Sequence, residues 1–193
     1  MLCKISSGFS SFYTGITINS GIPASEFSRI SPPIVHVHMG ASDDSLCALE
    51  PALWQYIRLQ FSDAKKAAFR VDLLSNSINE GELPSAVLAV LRWVPFAKYP
   101  IRVCFWIDNA SAVSWTRRRA TRQPLARLYN RLIPMAEFCY TLDCATAHVP
   151  GVDNTISDAG SRSWIIRNPL YGLWSDVSLG WQQVQDNLSQ LWE

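Results

Sequence analysis

The stretch IRVCFWIDNASAVSWTRRR, residues 101–119, determines the fold class because a strand, a polar break and a helix start follow one another directly in it. Residues 101–107 are apolar on both faces, which is typical of a strand in the middle of a sheet covered by helices. Asp108 and Asn109 end this strand, and the helical pattern begins after them. The stretch predicts a central strand whose end places Asp108 in a crevice at the edge of the sheet.

The residues before this stretch predict three further strands and a helix. The strand candidates are residues 34–39, 45–49 and 53–61, and short turns between them favour an antiparallel meander. In INEGELPSAVLAVLRWV, which begins at residue 78, apolar side chains recur at helical spacing. Because proline is tolerated in the first turn of a helix, Pro84 predicts that Glu82 lies at the N-terminus of this helix.

The residues after the stretch continue the alternation of helix and strand. A long amphipathic helix is predicted over residues 124–142, followed by a strand in CATAHV, a Pro-Gly turn and a short helix from about Thr155 through Arg162. The element order is then βββαβααβα. This order predicts an α/β fold with a mixed five-stranded sheet flanked by helices.

The chain divides into three predicted segments. Residues 1–33 are rich in Ser, Gly and Pro and predict a lead-in segment or the remnant of a preceding domain, and residues 34–163 form the α/β domain. Residues 164–193 are a tryptophan-rich C-terminal extension. Its tryptophans either pack across the domain, which we favour, or form a docking surface; they are Trp164, Trp174, Trp181 and Trp192.

Composition limits the class of protein. A chain of 193 residues that is 48% hydrophobic can bury one good-sized core, and a net charge of +1 gives no global attraction to polyanions. Five cysteines without a CxxC pair suit reduced thiols in an intracellular protein, cytoplasmic or nuclear, better than a disulfide frame or a zinc site. The sequence has neither a signal-peptide pattern nor an apolar run long enough for a membrane span, so we expect no membrane partner.

Three carboxylates are the candidates for chemistry: Glu82, Asp108 and Asp158. If they meet at one end of the sheet, they form an oxygen-only site suited to Mg²⁺ or Mn²⁺, the ions of two-metal phosphodiester hydrolysis. Each also has a structural interpretation. Glu82 and Asp158 suit helix starts, where the helix dipole favours negative charge, and Asp108 suits a helix N-cap.

Two continuous stretches, CFWIDNASAVSWTRRR and AHVPGVDNTISDAGSR, resemble the ribonuclease H domain of retroelement reverse transcriptases, of the gypsy-like or tyrosine-recombinase type. In that family a strand ends in Asp-Asn-Xaa-Xaa-Ala-Val, and a later segment reads His-Xaa-Pro-Gly-Xaa-Xaa-Asn-Xaa-Xaa-Asp-Xaa-Xaa-Ser-Arg. INEGELPSAVLAVL resembles the family's Asn-Xaa-Xaa-Glu-Leu helix, and the similarity covers roughly residues 34–162.

The resemblance implies a ribonuclease H fold and hydrolysis of the RNA strand of RNA·DNA hybrids with Mg²⁺ or Mn²⁺. It carries the catalytic and metal-binding roles onto Glu82, Asp108 and Asp158. The implied partners are an RNA·DNA hybrid or another nucleic acid, and other reverse transcriptase or polyprotein domains. The family's cellular enzymes also carry a His in a longer loop before the last acid; the loop after Pro150 is short here, and we interpret His148 as structural.

The chain departs from the family at the first catalytic acid. The family's first strand ends in Thr-Asp-Ala-Ser, whereas this chain reads Met39-Gly40-Ala41-Ser42. Gly40 is then either a lost carboxylate, which we favour, or a strand-end glycine with permissive dihedrals, and a register slip could instead bring in Asp43. A lost carboxylate predicts weak or absent activity that Gly40→Asp restores, since only a side chain has to be added.

A basic cluster follows Asp108 and consists of Arg117, Arg118, Arg119, Arg122, Arg127 and Arg131. It is either a solvated helix face or a surface that grips phosphates without reading sequence. We assign nucleic-acid binding to the first four arginines and to Asn109. Two functions stay open: a ribonuclease H-type nuclease that is weak or inactive, and a non-catalytic nucleic-acid- or protein-binding module derived from a retroelement.

Overall fold

The structure is a computed structural model, and it describes residues 33, 35–64, 66–67, 77–93, 101–122 and 124–184. These residues belong to a compact unit that begins at Pro33. The predicted lead-in, residues 1–33, lies outside the described residues except for Pro33.

A mixed six-stranded sheet forms the centre of the α/β fold. Its strands are β1 (Val35–Ala41), β2 (Ser45–Glu50), β3 (Gln55–Gln60), β4 (Ile101–Ile107), β5 (Leu142–His148) and β6 (Gln182–Gln183). Their order across the sheet is β5-β4-β1-β2-β3-β6. The first three strands form the predicted antiparallel meander, whereas β4 runs parallel to β1 and β5 runs parallel to β4.

The prediction of five strands is wrong because the C-terminal segment adds β6 parallel to β3. Gln182 N–H donates to Trp54 O and Val184 N–H donates to Tyr56 O, both at 2.8 Å. The outer edge of β3 offers carbonyl groups that no other strand of the meander reaches, and the returning chain satisfies them. A strand of two exposed glutamines carries no hydrophobic alternation, so the sequence gives no signal for it.

Five α-helices have both ends in the described residues: α1 (Ser77–Trp93), α2 (Ala110–Arg118), α3 (Pro124–Tyr140), α4 (Thr155–Arg162) and α5 (Tyr171–Ser178). The first three pack with Phe105 and Ile107 of β4 in the main core. A second apolar cluster joins α4 and α5 to β2 through Cys47, Ala159 and Trp174. The predicted order βββαβααβα is present, followed by α5 and β6.

The predicted start of the first helix is wrong. α1 begins at Ser77 and continues through Pro84, so Glu82 lies inside the helix rather than at its N-terminus. A proline inside a helix costs one backbone hydrogen bond and about 3 kcal/mol. Residues 81–90 are all buried, and this burial on every side of the helix offsets that cost.

The tryptophan-rich extension packs on the sheet as far as it is described. The guanidinium of Arg58 on β3 lies 3.9 Å from the ring centroid of Trp164. Trp181 meets Trp54 edge to face, with 5.5 Å between ring centroids. These aromatic and cation–π contacts stabilise the return of the chain to β3. Trp192 lies outside the described residues.

The described cysteines, Cys47, Cys104, Cys139 and Cys144, are all free thiols. No helix in the described part of the chain combines the length and apolar character that crossing a membrane requires.

Candidate functional site

Two of the predicted acids meet at the C-terminal end of β4. Asp108 directly follows β4, and the carboxyl group of Glu82, on α1, forms a hydrogen bond with it. Glu82 is 1% exposed, and its Oε2 has no hydrogen-bond partner within the described residues. Burial, the hydrogen bond to Asp108 and the charge of Asp108 raise the pKa of Glu82 to about 10. Glu82 therefore keeps its proton at neutral pH.

The residue after Asp108 forms the N-cap of α2. Asn109 Oδ1 accepts hydrogen bonds from the N–H groups of Ser111, at 2.9 Å, and Ala112, at 3.1 Å. The interpretation of Asp108 as the N-cap is therefore wrong, and the Asp108 carboxyl turns to Glu82 instead. Asn109 was predicted to bind nucleic acid, and its side-chain oxygen instead caps the start of α2.

A buried asparagine docks the start of α4 onto β1. Asn154 is 2% exposed, and its Nδ2 donates to Met39 O at 2.7 Å. Its Oδ1 accepts a hydrogen bond of 2.6 Å from Ser157 Oγ. Because both ends of the amide are used in a buried place, Asn154 fixes the distance between α4 and the end of β1.

The third predicted acid lies on α4, whose backbone packs against the end of β1, and an arginine of the same helix binds its carboxylate. Asp158 lies in the first turn of α4, and its carboxylate forms a 2.5 Å ion pair with Arg162, one turn further along the same helix. Asp158 is therefore a helix-start acid with an i,i+4 partner, as its structural interpretation predicts.

Gly40 lies where the backbone of α4 comes closest to β1. Met39 pairs with Ile107, so Gly40 directly follows the last β1 residue that pairs with β4, just as Asp108 directly follows the last residue of β4. A Cβ atom on Gly40 would lie 2.7 Å from both C and O of Ser157 and 3.0 Å from the backbone N of Asp158. Real Cβ atoms do not approach backbone this closely, so glycine is required for the packing of helix on strand.

This packing corrects two expectations about position 40. None of the described glycines has a positive φ, so Gly40 is required for space and not for permissive dihedrals. The expectation that Gly40→Asp needs only an added side chain is also wrong, because α4 itself occupies the place of that side chain.

The register-slip alternative at Asp43 is wrong as well. Gly40 pairs with Cys47 and Ala41 with Leu46, so Asp43 lies in the tight turn that joins β1 to β2. Asp43 is exposed there and does not replace Gly40 beside Asp108.

Two of the predicted nucleic-acid-binding arginines seal the outer edge of β5. Arg117 donates to Thr146 O from Nε at 3.1 Å and from Nη2 at 3.0 Å. Arg119 donates to Cys144 O at 2.9 Å and pairs with Glu137 at 2.5 Å, while Glu137 accepts from Cys144 N–H at 2.8 Å. Because β5 is an edge strand, these side chains satisfy backbone groups that have no neighbouring strand.

The other two predicted arginines, Arg118 and Arg122, are exposed. They border a depression of about 340 Å³ at the corner where α2 ends and the chain turns toward α3. The remaining residues that line it are Ser114, Trp115, Ala120 and Thr121. None of these six described residues is acidic and two of them are arginines, so this corner favours anions.

No protein-family model, curated protein or solved structure matches the chain. What the site can do therefore follows from its own geometry and from the motifs of the sequence.

The acidic residues do not fit a two-ion metal centre. Across the described ranges, no group of three or more His, Cys, Asp or Glu side chains could hold a metal ion. Only Glu82 and Asp108 converge; Asp158 pairs with Arg162, and the α4 backbone fills the space beside Gly40. We assign no hydrolytic step to a metal ion here.

Sequence reasoning did not single out Asn154 or Trp115. Asn154 stands in the motif AHVPGVDNTISDAGSR, and an amide shortly after a Pro-Gly turn is a signal for a local cap. Its actual partner is Met39 O, 115 residues away along the chain, and no local pattern predicts that contact. Trp115 was treated as part of a helix, where i,i+3 spacing places it beside Arg118; only the turn at Arg119 brings Arg122 to the same depression.

Proposed function

We propose that this chain is a ribonuclease H-like domain of retroelement origin that binds nucleic acid, by resemblance an RNA·DNA hybrid, with little or no hydrolysis. The two sequence motifs and the order of the elements support the domain type. The proposed loss of hydrolysis rests on the packing of Gly40 against the backbone of Ser157 and Asp158, which leaves no room for an acidic side chain at position 40. Without an acid at position 40, too little negative charge remains to hold two mutually repelling divalent ions.

Binding rests on the two arginines that the sheet does not use. Arg118 and Arg122 are exposed on a corner whose six described lining residues include no acid, and guanidinium groups contact phosphates without reading sequence. Because the net charge of the chain is only +1, the attraction is local. Affinity should therefore fall as salt rises, with the modest slope that two phosphate contacts give.

One observation favours the alternative, a weak nuclease that requires Mg²⁺ or Mn²⁺. The carboxyl groups of Glu82 and Asp108 already meet, and Glu82 Oε2 is buried without a partner in the described residues. Part of an acidic centre is thus assembled. This alternative predicts slow cleavage of a hybrid that Asp108→Asn abolishes.

The test combines cleavage and binding on one labelled RNA·DNA hybrid. We expect the hybrid to bind, with an affinity that falls as salt rises, and to stay intact with Mg²⁺ or Mn²⁺. The double variant Arg118→Gln/Arg122→Gln should weaken binding and flatten the salt dependence, because fewer counterions are released. Arg167→Gln controls for the loss of one exposed arginine elsewhere, since Arg167 is exposed on the C-terminal segment, away from this corner in the sequence.

Two outcomes would overturn the proposal. Metal-dependent cleavage that disappears in Asp108→Asn would establish the nuclease instead. A chain that folds but binds neither hybrid nor single strands would leave the protein-binding alternative in its place.

A further inference from the structure

The depression between Arg118 and Arg122 has one fixed aromatic wall. Trp115 is half-buried: it packs against the main core and also lines the depression. Because core packing holds the ring, its conformational freedom is already restricted in the free protein. A rigid, partly exposed indole is a surface on which a flat ring can stack at low entropic cost.

The backbone that carries the two arginines is also held in place. Arg119 ends α2 in the left-handed conformation, with φ of 50°, and its N–H donates to Thr116 O at 3.3 Å. The side chain of Arg119 is tied to Glu137 and to Cys144 O. The corner is therefore fixed between α2 and the edge of the sheet, and a ligand meets a site that is largely formed.

The lining matches the parts of a nucleotide. Trp115 offers a stacking surface, Arg118 and Arg122 offer two guanidinium groups for a phosphate, and the hydroxyl of Ser114 can bond to sugar or base. The volume of about 340 Å³ suits one small ligand rather than a helix. A duplex keeps its bases stacked inside, so only an unstacked base can reach the indole.

We infer that this depression binds one unstacked nucleotide of a single-stranded nucleic acid, with the base on Trp115 and the phosphate between Arg118 and Arg122. The inference rests on the proposed nucleic-acid binding and specifies its ligand. The protein would hold single-stranded ends or gaps beside a hybrid more tightly than uninterrupted duplex.

The test compares two labelled strands by fluorescence anisotropy with the full chain. Both have about six nucleotides, a length within the site sizes of single-strand-binding folds. One strand carries thymine bases, and the other has the same backbone with abasic sugars. We expect the base-bearing strand to bind about tenfold more tightly, since stacking on an aromatic side chain contributes on this scale.

The variants separate stacking from charge. Trp115→Leu, which keeps apolar volume against the core, should remove the difference between the two strands, whereas Trp115→Phe should retain most of it. Arg118→Gln/Arg122→Gln should weaken both strands alike and lower the salt slope by about 0.7 for each phosphate that is no longer neutralised. Arg167→Gln, with the charge change of one arginine, should alter neither strand. Equal melting temperatures establish that each variant is folded.

The outcomes distinguish this site from the proposed function. If both strands bind equally and Trp115→Leu changes nothing while hybrid still binds, the nucleotide site is refuted and the proposed function stands. A wild-type chain that binds no nucleic acid refutes both. A Trp115→Phe variant that loses as much as Trp115→Leu refutes base stacking.

Discussion

Gly40→Ala perturbs the one contact on which the interpretation of the acidic site depends. The added methyl group would lie 2.7 Å from C and O of Ser157. Overpacking typically costs about 1–3 kcal/mol, and the upper part of that range applies because the opposing atoms are backbone. The helix cannot shift freely, since Asn154 ties it to Met39 O at 2.7 Å. We expect a loss of about 2–3 kcal/mol, or roughly 5–10 °C in melting temperature for a domain of this size.

The measurement is thermal and urea unfolding followed by circular dichroism. Gly172→Ala is the matched control: Gly172 lies in α5, and a Cβ there meets nothing within 4 Å. Alanine is favoured over glycine in a helix, so this variant should be as stable as the wild type or more stable by up to about 1 kcal/mol. Gly40→Asp should lose at least as much stability as Gly40→Ala and should not gain cleavage. A Gly40→Ala protein with wild-type stability would refute the close packing of α4 on β1.

Two further predictions concern the buried groups around this contact. The pKa of Glu82 is about 10 in the folded chain, well above its value when unfolded. Between those values the unfolded chain has released this proton and the folded chain has not, so Glu82 lowers stability as pH rises, by up to about 1.4 kcal/mol per pH unit. Glu82→Gln should therefore gain stability over the wild type from pH 6 to pH 8 in urea unfolding; parallel curves would contradict the raised pKa. Asn154→Ala leaves Met39 O without its donor and should cost about 1–3 kcal/mol; an unchanged unfolding midpoint would show that Asn154 does not dock α4.

The elements that the sequence predicts well are those whose signals are local. The helix Thr155–Arg162 and the start of α2 after Asn109 agree with the prediction, since turn residues and caps are adjacent in sequence to the elements they bound. The start of α1 was predicted wrongly because the rule that confines proline to the first turn of a helix does not consider tertiary packing. Burial of α1 on every side stabilises the helix in spite of Pro84. The strand β6 was not predicted because it forms by pairing with the open edge of β3, and no pattern in its own residues indicates that pairing.

The candidate site also has features that the sequence predicts and features that depend on contacts between distant residues. The sequence identified Glu82, Asp108 and Asp158 as acids near one end of a sheet, and the structure joins the first two and pairs the third with Arg162. The sequence shows that a glycine stands at position 40, but it does not show why a glycine is required there. The backbone that excludes a side chain belongs to Ser157, more than a hundred positions away along the chain.

The sequence by itself determined the type and order of most elements, since periodicity, turn residues and caps act over a few residues. Only the tertiary structure decided which arginines bind the sheet: Arg117 and Arg119 donate to carbonyl groups on the open edge of β5, whereas Arg118, between them, lines the depression beside Trp115. It also decided that position 40 has no room for a side chain. Both are properties of backbone groups that meet from distant parts of the chain, and they exist only once the sheet and its helices have assembled.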